Sequence, residues 1–277
     1  MRAVQIVDLT GPDTALALGD IPEPESPPQH PLTPGSGVLV EVHVAGVSFP
    51  EVLQTRGEYQ LKPPLPFVPG SEIAGIVREA PDGAAVAPGD RVAAFCALGG
   101  FAELAVAPEF LTFPLSSQLD YARGAGLILN YHTAYFALVL RGRLVAGETV
   151  LVHGAAGGVD IVLDPVGGDR FTDSLRSLRE TGRIVVVGFT GGSIPEVRVN
   201  RLLLGNTEVI GAGWGAYAMA RPEVCRDIDL ALKPLIESGV LAPIVGARFP
   251  LDRAAEALHE IDERRALGKV VLDVRPD

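Results

Sequence analysis

The segment Val150-Leu-Val-His-Gly-Ala-Ala-Gly-Gly-Val159 carries the strongest chemical signal in the chain. A β-branched run enters a turn made of Gly154, Ala155, Ala156, Gly157 and Gly158. Glycines let backbone amides approach a pyrophosphate closely, and the N-terminus of a following helix holds its charge. A tight turn with no ligand uses the same residues, so this segment alone leaves both readings open. Metal chemistry is poorly provided for. Cys96 and Cys225 are too few for a four-thiolate zinc site or a disulfide framework. His30, His43, His132, His153 and His259 do not cluster at ligand spacing.

Positioning such a turn requires strands and helices around it. Residues 148–153 and 159–163 read as buried strands, as do 183–189 and 208–211. Residues 120–140, 170–180, 229–238 and 251–266 read as helices, and 269–274 as a closing strand. Before about residue 118 the texture is short strands and turns. Strands are predicted over 38–44, 73–78 and 91–95, the last preceded by the turn Pro88-Gly89-Asp90. Residues 22–34 hold six prolines in thirteen positions and read as an extended surface loop. A β-rich front followed by alternating strand and helix predicts a parallel sheet in the second part. The final strand matches the front half in texture, so the last thirty or so residues are expected to return to the first domain.

Composition sets outer limits. The chain has 277 residues, 47% hydrophobic and 21% charged, enough for one or two domains with a core. A net charge of −11 gives no general attraction to nucleic acid or anionic membranes. The start MRAVQIVDL lacks the long apolar core of a signal peptide, and no apolar run approaches a membrane span. A soluble, cytoplasmic protein is expected.

Several segments in order carry a specific resemblance. They are Gly46-Val-Ser-Phe-Pro-Glu-Val-Leu-Gln-Thr-Arg-Gly-Glu-Tyr59, Pro66-Phe-Val-Pro-Gly-Ser-Glu-Ile-Ala-Gly-Ile-Val77 and Pro88-Gly-Asp-Arg-Val92. Asn130-Tyr-His-Thr-Ala-Tyr-Phe-Ala-Leu138, Val159-Asp-Ile-Val-Leu-Asp-Pro-Val-Gly-Gly168 and Gly268-Lys-Val-Val-Leu272 continue the match. Together they resemble the medium-chain dehydrogenase/reductase superfamily, and within it the zinc-free NADPH:quinone oxidoreductase (zeta-crystallin-like) branch. The resemblance implies an α/β fold. A GroES-like β-rich catalytic domain spans residues 1–118 and 245–277, and a truncated Rossmann-like parallel-sheet domain spans 119–244. It implies hydride transfer from NADPH, with NADH not excluded, to a quinone or other conjugated carbonyl.

The resemblance also implies site residues. The nicotinamide is expected between the domains, near Ser48, Thr133 and the loop Gly188-Phe189-Thr190. The turn Gly154-Ala155-Ala156-Gly157-Gly158 faces the pyrophosphate, and Lys269 approaches the cofactor from the returning C-terminal segment. Tyr59 lines the acceptor pocket and donates a hydrogen bond to the acceptor oxygen, or else is a packing residue beside Gly57. Zinc-dependent relatives place Cys at Ser48 and His at Ser71, and carry a four-cysteine lobe that is absent here. No metal site is therefore expected. Ser48 replaces the usual Asn, and Glu51 replaces the usual Asp as an internal hydrogen-bonding group. A homodimer is expected, with residues 207–213 where relatives pair their sheets.

The chain departs from the family after the glycine turn. In relatives that turn opens a helix, and a second strand and helix precede the segment matching residues 159–164. Here the turn runs almost straight into that segment, so roughly fifty residues of a dinucleotide half are missing. The third fingerprint glycine falls at Asp160. Parallel neighbours need a crossover of a dozen or more residues. The runs 148–153 and 159–163 are therefore expected to form an antiparallel hairpin, to separate, or to lose one member from the sheet. Two alternatives to the quinone reading follow. One is a non-catalytic relative that lost cofactor binding with the segment after Val159. The other is a different zinc-free activity, such as enoyl-thioester reduction.

Overall fold

The computed structural model describes residues 1–30, 33, 37–152 and 158–275. In chain order the front holds β1 (Arg2–Ile6), β2 (Leu16–Asp20), β3 (Gly37–Val47), α1 (Phe49–Gln54), β4 (Glu72–Glu79), β5 (Arg91–Phe95), β6 (Leu104–Pro108) and β7 (Thr112–Pro114). Then come α2 (Tyr121–Gly124), α3 (Thr133–Tyr135), β8 (Val150–Val152), β9 (Val159–Asp164), α4 (Phe171–Ser177), β10 (Leu178–Val186), α5 (Val199–Gly205) and β11 (Glu208–Gly211). The chain closes with α6 (Trp214–Ala220), α7 (Glu223–Glu237), β12 (Val245–Pro250), α8 (Ala254–Asp262) and β13 (Lys269–Asp273). Two compact units result: Met1–Leu129 with Cys225–Asp277, and Asn130–Val224.

In the first unit, β3 organises a seven-stranded sheet in the order β12-β13-β3-β4-β5-β7, with β6 also on β3. Its alternating valines explain why. Val38, Val40, Val42 and Val44 are fully buried, and burying each such side chain is worth about 1.5–3 kcal/mol. The returning strand β13 pairs antiparallel with β3, Val270 opposite Val47 and Val271 opposite Gly46. That register brings Lys269, the first residue of β13, to the end of β3 beside Ser48. Helix α8 adds Ala254, Ala257 and Leu258 to the same core. Helix α2 packs on β3 and β4, so residues 119–129 lie in the first unit, as do residues 225–244.

Helix α7 runs past a cavity of about 380 Å³ lined by Leu115, Leu127, Asp229, Lys233 and Ile236. Burial pushes the Asp229 carboxyl up to about 6, partly offset by Lys233. A carboxyl raised in the fold stabilises it at low pH, and that contribution is lost as pH rises through the folded value. Asp229→Asn is therefore expected to stabilise the protein at pH 8 but not at pH 4. The gain is about 1 kcal/mol after allowance for partial exposure, or a Tm rise of roughly 2–4 °C, read by thermal denaturation at the two pH values.

The second unit contains a four-stranded, all-parallel sheet in the order β11-β10-β9-β8. The expected parallel sheet is present, but the expected fate of the two runs flanking the glycine turn is overturned. Strands β8 and β9 are parallel neighbours, Val150 opposite Ile161 and Val152 opposite Leu163. The physical reason is the shortness of β8. From Val152 the chain must return only to Val159, about 13 Å down the neighbouring strand, and the six residues 153–158 can span about 20 Å.

One helical expectation changes, that for 170–180, while the helices expected over 120–140 are present in short pieces. Wider π-type turns over Ile128–His132 and Phe136–Arg141 flank α3. Helix α4 stops at Ser177 because Leu178 turns extended, with ψ 145°, to pair with Val159. The core beneath is small: Val159, Val162, Phe171 and Ile184, with Leu151 and Leu175 against them. A buried guanidinium fastens one end of the sheet. Arg183 donates to Gly142 O and, at 2.7 and 2.8 Å, to both oxygens of Glu148, whose carboxyl it holds down at about 2.

Candidate functional site

Three buried ionisable groups of the first unit, Glu51, Glu72 and Lys269, meet around the N-terminus of α1. Ser48 precedes the helix, and its N–H donates to Glu51 Oε2 at 2.9 Å. This is one half of a capping box. Glu51 is fully buried, and its second oxygen accepts from Ser71 Oγ at 2.5 Å. Burial pushes this carboxyl up, against the pull of Ser71 and Lys269. Glu51 thus forms the internal hydrogen bonds predicted for it.

Lys269 enters from β13. Its Nζ donates to Glu72 Oε2 at 2.6 Å and to Ser48 Oγ at 2.8 Å. Glu72 is 1% exposed, and its other oxygen accepts from Leu129 N–H at 2.7 Å. The lysine stem reaches this place only because two residues lack side chains. A Cβ on Gly46 would stand 2.7 Å from Lys269 Cε and 2.3 Å from Ala125 O, and one on Gly126 would stand 3.1 Å from Lys269 Cγ. Gly46→Ala is expected to destabilise the protein by about 1–3 kcal/mol, since the carbonyl belongs to backbone and cannot swing away. A lowered urea midpoint checks this.

Tyr59 follows α1 and is half-buried. Burial and the Glu51 charge push its hydroxyl up, so it stays protonated and able to donate. Gly57, at φ +66°, takes the left-handed turn just before it, and a Cβ there would press on Leu9.

In the second unit, the loops at the carboxyl ends of β9 and β10 are stitched together. Asp164 Oδ1 accepts from Val166 N–H and Gly167 N–H, both at 2.8 Å. The N–H and the hydroxyl of Thr190 both donate to Pro165 O at 3.0 Å, and Gly191 N–H donates to Val166 O at 2.8 Å. Gly188, Phe189 and Thr190 are thereby brought together, with Phe189 exposed. A Cβ on Gly167 would stand 2.8 Å from the Phe189 ring. Open α/β sheets bind ligands outside the carboxyl ends of their strands.

Thr133 opens α3, beside the buried His132. The His132 ring meets Trp214, at the carboxyl end of β11, edge to face at 5.7 Å. The Phe136 ring meets Tyr217 at a tilt of 45°, with centroids 4.9 Å apart. Burial pushes the His132 imidazole down to about 3, so it is neutral at physiological pH.

The structure does not bring Gly158 to these loops. It stands at the amino end of β9, at φ +82°, the opposite end of that strand from Asp164. Gly154, Ala155, Ala156 and Gly157 lie outside the described residues. Because β9 begins at Val159, no helix among the described residues opens after the turn to hold a pyrophosphate.

Sequence reasoning missed Glu72 and the burial of His132. The predicted strand began at Ile73, so Glu72 fell just outside it. A carboxylate next to a fully buried run was the available signal. His132 was set aside for lack of ligand spacing, and its place in an apolar helical stretch was the available signal. Among the described residues no group of three or more His, Cys, Asp or Glu side chains stands close enough to hold a metal.

These elements define a class. The chain matches the "Zinc-binding dehydrogenase" family model over residues 124–272 and the "Alcohol dehydrogenase GroES-like domain" model over residues 5–117, and it belongs to the medium-chain dehydrogenase/reductase superfamily. Its relatives point to a particular branch. The quinone oxidoreductase-like protein 2 of Rattus norvegicus is 33% identical over 298 residues, covering 86% of this chain and 85% of that protein. The quinone oxidoreductase of Homo sapiens is 30% identical over 333 residues, covering 98% and 97%. Among solved structures, a probable oxidoreductase from Mycobacterium abscessus has a TM-score of 0.85 at 36% identity, covering 99% of each chain. The quinone oxidoreductase from Thermus thermophilus, also solved with NADPH, has a TM-score of 0.81 at 27% identity, covering 99% and 100%.

The human alignment spans 333 positions against 277 residues here, so at least 56 of its positions have no counterpart in this chain.

Proposed function

We propose that the protein is a zinc-independent oxidoreductase that passes hydride from NADPH to a quinone or another conjugated carbonyl compound. The observation that carries this reading is the buried Lys269–Glu72 pair holding the Ser48 hydroxyl at 2.8 Å. It provides a polar donor in which a buried ammonium and carboxylate back a hydroxyl. The quinone oxidoreductases among the relatives, and the NADPH named for the Thermus thermophilus structure, support the substrate class and the cofactor.

Under this reading Ser48 and Tyr59 meet the acceptor oxygen. Thr133, Gly188, Phe189 and Thr190 hold the nicotinamide end, and Lys269 stands behind Ser48. Gly154, Ala155, Ala156, Gly157 and Gly158 carry whatever pyrophosphate contact remains. NADPH supplies the hydride when bound, and NADH is a second candidate. The first unit, Met1–Leu129 with Cys225–Asp277, acts as the catalytic domain and the second, Asn130–Val224, as the cofactor domain.

A homodimer belongs to the same proposal. Strand β11 is an edge of its sheet, with Val209 exposed, and an unpaired edge is a template for a second chain. So does a cytoplasmic location, supported by a chain with only two cysteines, Cys96 and Cys225, both buried. Among the described residues no helix is long and apolar enough to cross a membrane.

Protein dialysed against EDTA is expected to oxidise NADPH saturably with 1,4-benzoquinone. Activity that vanishes with EDTA and returns with zinc overturns the metal-free reading. The second reading, a relative that has lost cofactor binding, draws support from the 56 or more alignment positions without a counterpart and from the start of β9 at Val159, directly after Gly158. It predicts no NADPH oxidation with any acceptor.

A further inference from the structure

We infer that Lys269 acts through Ser48 as the proton source for the acceptor oxygen, with Glu72 holding Lys269 in place. The inference rests on the hydride-transfer reading above. Hydride addition to a conjugated carbonyl places negative charge on its oxygen, and a preorganised donor at that oxygen is the strongest help a protein can give. The cluster around α1 offers one such donor. Lys269 is 8% exposed, Ser71 5%, Glu72 1% and Glu51 0%, whereas Ser48 is only half-buried. Charge in the cluster therefore reaches open space through the Ser48 hydroxyl.

The hydrogen bonds fix its direction. Lys269 Nζ donates to Ser48 Oγ at 2.8 Å, so the hydroxyl proton of Ser48 must point elsewhere. Accepting a bond from an ammonium makes that O–H a stronger donor. The neighbouring carboxylates do not compete for the proton. Glu72 accepts from Lys269 and from Leu129 N–H, and Glu51 accepts from Ser71 and from Ser48 N–H. Every oxygen of the two carboxylates is engaged.

Two electrons arrive as hydride on the acceptor's conjugated carbon, and the nicotinamide that supplied them is left oxidised. The carbonyl π pair moves to oxygen, which forms a new O–H bond as the Ser48 Oγ–H bond breaks. Ser48 Oγ takes a proton from Lys269 Nζ, whose N–H bond breaks and leaves a neutral amine. Water returns that proton when product leaves. Ser48 is the catalytic residue of this step, and Lys269 and Glu72 are positioning residues.

Three readouts test it. Ser48→Ala leaves the ion pair intact and removes only the relay. It is expected to lower kcat on the order of 10²–10⁴-fold, with KM for NADPH unchanged and the solvent isotope effect on kcat altered. The double variant Lys269→Met/Glu72→Gln, which buries no lone charge, is expected to lose kcat similarly. The third readout needs no turnover. With NADP⁺ present, 4-nitrophenol bound to the wild-type protein is expected to show its yellow phenolate below the pH at which free 4-nitrophenol turns, and both variants are expected to lose that colour. Neutral 4-nitrophenol on the wild-type protein, no binding of it, or kcat within twofold of wild type in Ser48→Ala overturns the inference. NADPH calorimetry separates the two claims. No heat removes the hydride-transfer reading together with the relay, whereas normal heat with unchanged kcat in Ser48→Ala removes the relay alone.

Discussion

Replacing Lys269 alone by methionine is expected to destabilise the protein by about 3–5 kcal/mol, the cost of leaving one member of a buried ion pair without its partner. Glu72 is 1% exposed and Lys269 8%, so water cannot take over the lost bond of 2.6 Å. One backbone N–H, from Leu129, would remain on Glu72. The double variant Lys269→Met/Glu72→Gln is expected to recover most of the loss, because replacing both charges of a buried pair is often near neutral. Chemical denaturation of the single and double variants measures both effects. A single variant within 1 kcal/mol of wild type would mean that Glu72 is not buried as a charge.

The second large effect is acid sensitivity from His132. Burial holds its imidazole at about 3, against 6.5 for a free histidine. The folded value is depressed, so between those two pH values the unfolded chain binds a proton that the fold refuses. Stability is complete above pH 6.5 and is lost as pH falls toward 3. The full loss is about 4–5 kcal/mol, and roughly 3 kcal/mol of it is expected by pH 4.5. His132→Asn removes the titrating group. It is expected to lose less stability than wild type between pH 7 and pH 4.5, even if it starts lower through loss of the Trp214 ring contact. Equal losses in the two proteins, measured by urea denaturation, would contradict this account of His132.

Much of this was legible from residue order. The alternation of valines in β3 and the β-branched runs of β9 and β10 marked strands without ambiguity. The Gly268-Lys-Val-Val-Leu272 match indicated the return of β13. The Ser48, Glu51 and Lys269 positions followed from short motifs, since α1 and its cap are local. The meeting of Lys269 with Ser48 was not legible, because 221 residues separate them and only the β13–β3 register joins them. The parallel pairing of β8 with β9 was hidden for a different reason. The crossover rule assumes strands of ordinary length, whereas β8 has three residues and so asks for only a short return. The burial of Glu72 had a signal in the run that follows it, but its partners did not, because Leu129 and Lys269 lie 57 and 197 residues away.

The central claim is that this shortened chain still holds a reduced dinucleotide. It is tested most directly by thermal denaturation of the full-length protein with and without NADPH. At 100 times the dissociation constant, binding is expected to add about 2.7 kcal/mol of stability and to raise Tm by several degrees. An unchanged Tm at millimolar NADPH, and again at millimolar NADH, would contradict it.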